Sequence, residues 1–305
     1  AVHRLERPGY WYQLAGCRSG AHAFPQRSTR RKICHGRGLL VTPHQVTISV
    51  VSHEHGDEIP NLLRDLAAFA PSAIAEVIVT LNIPEEALSH WIGVRNWPFA
   101  VTVISNTEPM GYGANHDQAF GRCKTPYFCV VNPDIRLTKD PFPALISSLE
   151  EPMGGCAYPM QSNGDSKPMD FAREVPTPAS LMRRYLLPSS RKKPQPRHWI
   201  NGAFMLFPAK VFEKLGGFDS RYFMYCEDVD ICLRLQLQGF HLMPVVYVTV
   251  EHEAQHASRR RLRHLIWHVQ SLWYLWNSMP YRDFCRRYLG RTDANRKGGL
   301  NGKNT

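Results

Sequence analysis

The chain has 305 residues (34.9 kDa), of which 43% are hydrophobic, 11% aromatic and 21% charged, which suits one large globular domain or two small ones and excludes a fibrous repeat or disorder throughout. Lys and Arg outnumber Asp and Glu by 37 to 26, a formal charge of +11 that on its own points to an anionic partner. The charge is segregated, however: residues 1–45 hold eight basic residues and one Glu, residues 258–305 hold eleven basic residues and two Asp, and the body between them has 18 basic and 23 acidic residues. An acidic body argues against nucleic acid as the partner.

Residues 1–44 show neither helical nor alternating period and are expected to be a basic, poorly ordered extension. From Val46 onward, apolar runs alternate with amphipathic ones, the pattern of βα units feeding a mainly parallel sheet. VTISVV (46–51) reads as a strand, and 57–69 as a helix with Ile59, Leu62, Leu63, Leu66 and Phe69 on one face. Three more buried strands are expected at 76–81, 99–104 and 127–132, with a glycine-led helix start at GYGANHDQAFGRC (111–123) between the last two. Residues 161–198, with six prolines and little apolar period, read as a long loop or flap over a site. Order resumes at WINGAFMLF (199–207), followed by a helix near 209–215, the GGFD turn at 216–219, a helix at 227–238 and a strand at 242–250. A final helix at 259–278 carries Leu262, Leu265, Ile266, Val269, Leu272 and Trp276 along one side.

Four motifs can carry chemistry. Asn132-Pro133-Asp134 follows a buried strand, where an acid points into a ligand crevice and can hold a hard divalent cation, although an Asp there also serves as a turn former. Glu227, Asp228 and Asp230 crowd the start of one helix; the macrodipole favours carboxylates there, but three within four residues exceed what capping needs, and their repulsion raises a pKa toward general-base use. His252 and His256 stand at helical spacing after a strand, as structural residues or as ligands beside an Asp-bound cation. Gly111 and Gly113 free the backbone for close approach to a phosphate or ribose at a helix N-terminus.

The order of these motifs is more informative than any one of them. VVSHEHGDEIPNLL, then Asn106 with GYGAN, then NPD, then NGAFMLFPAKVFEKLGGFDSRYFMYCEDVDICLRLQLQGF, then a strand ending in His, resembles the inverting family 2 glycosyltransferases, and within them the rhamnosyltransferase-like branch. The resemblance spans about residues 46–278. It implies an α/β GT-A fold, a Rossmann-like, mainly parallel mixed sheet flanked by helices, with a nucleotide-binding half at about 45–135, an acceptor-binding half at about 136–257 and a basic C-terminal helix and tail at 258–305. By the same resemblance, Ser52, His53 and Glu54 lie against the base and ribose of a nucleotide sugar, and Asn106, Gly111, Gly113 and Asn115 continue that pocket. Asn82 stands where relatives carry an acid touching the nucleotide. Asp134 matches the last acid of the family's DxD motif, Asn132 replaces the first, and His252 matches a His that completes a Mg²⁺ or Mn²⁺ site on the diphosphate. Asp228 matches the catalytic base, Glu227 orients it or an acceptor hydroxyl, and Trp199 and Gly202 match positions near sugar and acceptor. Asp230 is assigned to capping or to an ion pair with Arg234.

The resemblance therefore implies transfer of a sugar from a nucleoside-diphosphate donor, dTDP-L-rhamnose being the one that suits the branch, to a glycan or lipid-linked acceptor in bacterial polysaccharide assembly. Two other readings stand beside it. A sugar nucleotidyltransferase would want a Gly-rich basic loop after its first strand, where SHEHGDE is acidic; a non-catalytic basic nucleic-acid or membrane-binding protein would want a basic body. The eight cysteines show no CxxC or zinc-finger spacing, and no stretch has the length of a membrane span or signal core, so a reduced, cytoplasmic protein is expected. Basic residues beside an apolar face in the C-terminal helix suit an anionic inner-leaflet surface or a solvated helix face.

Overall fold

The β-branched run VTISVVS forms strand β1 (Val46–Ser52), and all seven of its residues are buried. Such a strand has helices on both faces and reads as continuously apolar rather than alternating. In the computed structural model, which describes residues 44–163, 172–178, 180–181, 198–252 and 262–289, β1 lies between β2 (Ile74–Leu81) and β4 (Tyr127–Val131), parallel to both. Strand β3 (Ala100–Ser105) extends the sheet beyond β2, again in parallel. Helices α1 (Glu58–Phe69), α2 (Glu86–Gly93) and α3 (Tyr112–Phe120) make the crossovers. In α1 the residues Ile59, Leu62, Leu63 and Leu66, at helical spacing, are buried.

The second half begins with β5 (Ile135–Arg136), α4 (Phe142–Leu149), β6 (Gly154–Ser162) and the short strands β7 (Ala172–Glu174) and β8 (His198–Ile200). It continues through β9 (Phe204–Pro208), α5 (Ala209–Leu215), α6 (Glu227–Leu237), β10 (His241–His252), α7 (Leu262–Asn277) and α8 (Met279–Phe284), the last running into a π-turn at Cys285–Leu289. The main sheet has eight strands in the order β3-β2-β1-β4-β9-β6-β10-β5, and β9 enters antiparallel to both β4 and β6. One apolar layer packs α1 and α4 on the sheet through Leu63, Leu66, Phe142 and Leu145. The opposite layer packs α3, α5 and α6 through Ala119, Phe212 and Ile231. A third cluster, with Tyr222, Leu233, Leu275 and Phe284, joins α6 to α7 and α8.

Several boundaries differ from the sequence reading. Residues 161–198 are not all loop: Gln161 and Ser162 end β6, and Ala172, Arg173 and Glu174 pair antiparallel with Ile200, Trp199 and His198; residues 164–171, 179 and 182–197 lie outside the described ones. Helix α4 buries Phe142, Leu145, Ile146 and Leu149, a helical spacing that the reading passes over. The apolar side expected for the last helix divides: Leu272 and Trp276 pack against the third cluster, Leu265, Ile266 and Val269 are exposed, and the buried residues of the helix are Ser271 and Leu275. His256 and residues 1–43 fall outside the described residues. No helix among the described residues is long and apolar enough to cross a membrane.

Candidate functional site

In an open α/β sheet, ligands bind beyond the carboxyl ends of the strands, and the residues singled out in sequence gather at that edge. Beyond β2 and β3, three buried amides interlock. Asn82 Oδ1 accepts from Asn106 Nδ2 (3.1 Å), Asn115 Nδ2 (3.1 Å) and the Met110 backbone N–H (2.8 Å), while Asn106 Nδ2 also donates to Asn115 Oδ1 (2.7 Å). This network pins the loop that enters α3, and an acid at 82 would lose the donor that Asn82 Nδ2 directs to the Met110 carbonyl (3.0 Å). Ser52 is buried in the sheet with its hydroxyl unpaired, whereas His53 and Glu54 are exposed beyond it. Glu54 has a left-handed backbone (φ 59°), and His55, which sequence reasoning did not single out, sits close enough to Asp134 and Glu85 for both charges to oppose the lowering of its pKa by burial.

The two glycines at the start of α3 face the chain itself. A Cβ on Gly111 would come within 2.8 Å of the Phe223 carbonyl oxygen, and one on Gly113 within 2.6 Å of Phe218 Cβ. Their close approach is therefore to the segment 218–223 that leads into α6. Asp117 on α3 accepts from the Phe218 backbone N–H (2.9 Å) and fastens the same segment.

Between those glycines lies Tyr112, a residue that sequence reasoning missed. Its hydroxyl donates toward Asn132 Oδ1 and the Gly202 carbonyl oxygen, each 2.9 Å away. Burial, then the charges of Glu227, Asp228 and Asp134, push its pKa up, so it is a neutral donor among three acids. An amide at 132 meets this hydroxyl without adding a further charge.

On the far side of Gly202 stands the acid pair that opens α6. Asp228 Oδ2 accepts from the Gly202 backbone N–H (3.2 Å) and Oδ1 from that of Val229 (2.8 Å). Burial raises its pKa to about 6, against those two hydrogen bonds and the charge of Arg173. Glu227 is buried, with Oε2 unpaired, and burial together with the neighbouring Asp228 charge holds its pKa well above the carboxylate range. Of the two, Glu227 is the member whose surroundings resist ionisation and Asp228 the one whose anion is supported, an arrangement that suits a base beside an acid held toward its neutral form. Asp230 belongs to neither role: it forms a 2.6 Å ion pair with Arg234. The turn before this pair is strained, with Tyr225 (φ 73°) and Cys226 (φ 67°) both left-handed. Neighbours hold it in place: Ser271 Oγ donates to the Met224 carbonyl, the Tyr225 hydroxyl is 2.9 Å from His264 Nδ1, and the Tyr112 N–H donates to the Phe223 carbonyl.

Asp134, after β4, meets His252, at the end of β10, with Oδ2 and Nε2 3.3 Å apart. His252 Nδ1 is 3.0 Å from Gln161 Oε1, an acceptor that suits a proton on Nδ1, and with a cation bound Nε2 would be the ligand atom on the side of Asp134. Asp134 Oδ1 is buried and unpartnered. Two ligand atoms facing each other and an orphaned carboxylate oxygen fit a divalent cation that takes its remaining ligands from water and a diphosphate. Among the described residues, no group of three His, Cys, Asp or Glu forms a cage without such help. Gln161, the orienting residue, was not legible in sequence. Trp199 lies on β8, in the separate two-stranded β7–β8 sheet, with its indole N–H donating to the Glu174 carbonyl (3.0 Å) and Arg173 over its ring at 5.7 Å.

Residues 43–266 match the family described as "Glycosyltransferase like family 2". The chain is 28% identical over 248 residues, 74% of its length and 90% of the relative's, to the rhamnosyltransferase WbbL of Escherichia coli K12. It is 26% identical over 232 residues, 66% of its length and 74% of the relative's, to the N-acetylglucosaminyl-diphospho-decaprenol L-rhamnosyltransferase of Mycobacterium tuberculosis H37Rv. Among solved structures, the mannosyltransferase PcManGT of Pyrobaculum calidifontis, in complex with GDP-Man and Mn²⁺, superposes with a TM-score of 0.55 at 16% identity, over 77% of this chain and 66% of that one.

Proposed function

The chain belongs to glycosyltransferase family 2 and has the GT-A fold, and from that premise we propose that it moves a sugar, L-rhamnose from dTDP-L-rhamnose, to a glycan or lipid-linked acceptor with inversion at the anomeric carbon. The observation that supports this reading is the Tyr112 hydroxyl, which bonds Gly202, itself bonded to Asp228, and Asn132, two residues before the Asp134 that meets His252. In the proposed assignment the 45–135 half takes the nucleotide, His53 and Glu54 flank its base and ribose, and the Asn82–Asn106–Asn115 network with Gly111 and Gly113 shapes the wall behind it. The 136–257 half takes the acceptor beside Trp199 and Gly202.

Asp134 and His252 would hold Mg²⁺ or Mn²⁺, which supplies positive charge to the departing diphosphate. Everything else is done by the chain. Asp228 accepts the proton of the acceptor hydroxyl as that oxygen bonds to the anomeric carbon and the bond to the diphosphate oxygen breaks; one displacement inverts the centre and needs no covalent intermediate. Glu227, protonated, orients the hydroxyl or Asp228, and Asn132 and Tyr112 keep the space between base and diphosphate polar without adding charge. The proposed setting is the cytoplasmic face of the inner membrane, where thiols such as Cys123 and Cys285, free in the structure, stay reduced.

A panel of nucleoside-diphosphate sugars screened by thermal shift with Mn²⁺ tests the assignment. The expected outcome is a shift with dTDP-L-rhamnose that is lost in EDTA, is restored by Mn²⁺ or Mg²⁺, and is absent from Asp134→Ala and His252→Ala. An equal shift in EDTA contradicts the metal site, and a larger shift with another sugar nucleotide reassigns the donor.

A further inference from the structure

Helix α7 is apolar on two opposite sides. Successive residues step by about 100° around a helix, so Ser271 and Leu275, both buried, fall on one side, and Leu265, Ile266, Val269 and Trp273 on the other. Those four are 63%, 49%, 58% and 66% exposed, and Met279, just beyond the helix, is 73% exposed. A single exposed Leu is ordinary, but a contiguous apolar stripe opposite the packed face of a helix marks a docking surface.

Charge identifies the occupant. Helix α7 contains no Asp or Glu, three arginines (Arg259, Arg260, Arg261) directly precede it in sequence, Arg263 lies within it, and residues 258–305 hold eleven basic residues against two acidic ones. A second copy of the chain docking through this face would bring two such basic ends together, and residues 1–45 carry the same sign of charge, eight basic residues against one acidic. An anionic bilayer accepts both features: arginine heads at the phosphate level, and leucine, isoleucine, valine and tryptophan just beneath.

We propose that the exposed stripe of α7 (Leu265, Ile266, Val269, Trp273), on a helix that carries Arg263 and follows a basic run in sequence, docks the protein on the surface of an anionic lipid bilayer. The other side of the same helix grips the strained turn before Glu227, through Ser271 Oγ to the Met224 carbonyl and Tyr225 to His264. Docking therefore holds the acid pair at a fixed distance from the bilayer. This surface deepens the membrane setting proposed above, but its test needs neither donor nor acceptor, so that either can fail without the other.

The full chain is sedimented with vesicles of phosphatidylcholine alone, or with about a third phosphatidylglycerol, at about 0.1 M and about 0.5 M NaCl. Binding to the anionic vesicles is expected, at least about tenfold weaker on neutral ones or at the higher salt. The Leu265→Gln/Val269→Gln/Trp273→Gln variant, altered only at exposed positions, is expected to keep its thermal transition and to bind anionic vesicles at least about tenfold more weakly. Arg263→Gln keeps the apolar stripe intact and separates charge from apolar contact; it is expected to bind more weakly as well. The proposal is overturned by a wild-type chain that stays in the supernatant, by undiminished binding of the triple variant, by a wild-type dimer that the triple variant splits, or by binding that requires prior removal of residues 1–43.

Discussion

Asp228 and Glu227 are adjacent in sequence and alike in chemistry, yet their surroundings divide them. Asp228 has two backbone N–H donors and the Arg173 charge to support its anion, while Glu227 has an unpaired, buried Oε2 beside a negative neighbour. If Asp228 must be ionised to accept a proton, kcat/KM rises with pH through an acid limb near its value of about 6 and levels off above it. A pH–rate profile on the wild type checks this, and in Glu227→Gln, where a neutral amide replaces a carboxyl that resists ionisation and adds no charge beside Asp228, the limb is expected to stay in place. A flat profile between about pH 5 and 8 contradicts the assignment. The acid pair, Asp134 and His252 were legible because they stand as dense or motif-bound polar groups after apolar strands. Tyr112, Arg173 and Gln161 were not: each is one polar residue among many, and its partner lies 20 to 91 residues away along the chain or, for Arg173, on another element.

At the scale of elements, the first four strands and α1 were readable because each βα unit is local and strongly apolar. Strand β6 was not, since GGCAYPMQS combines two glycines and a proline with burial on both sides, leaving neither alternation nor β-branched residues to read. The pairing of β7 with β8 joins residues 172–174 to 198–200 across a segment with no signal of its own. The glycines of GYG were noticed, but their use was not. Because a Cβ at 113 would press on Phe218 Cβ at the root of its side chain, Gly113→Ala forces a backbone shift where α3 meets the loop to α6. A loss of about 1–3 kcal/mol is expected in denaturant unfolding, with a fall in kcat as the acid pair moves. Unchanged stability and rate contradict the packing role.

For the whole molecule, charge and fold divide along the chain. The core begins at Val46, the family match at residue 43, and the acidic body holds all the site residues, while the basic surplus lies at the two ends. A chain starting at residue 44 is therefore expected to keep its thermal transition and transferase activity, and collapse of that transition contradicts a fold complete without residues 1–43. The central claim is that Asp228 accepts the proton in a direct displacement while Asp134 and His252 hold the donor end. The most direct test measures transfer at saturating nucleotide sugar together with donor affinity for wild type and Asp228→Asn. The account predicts a fall in transfer of about 10²–10⁴-fold with donor affinity unchanged; turnover near the wild-type rate, or loss of donor binding in place of turnover, contradicts it.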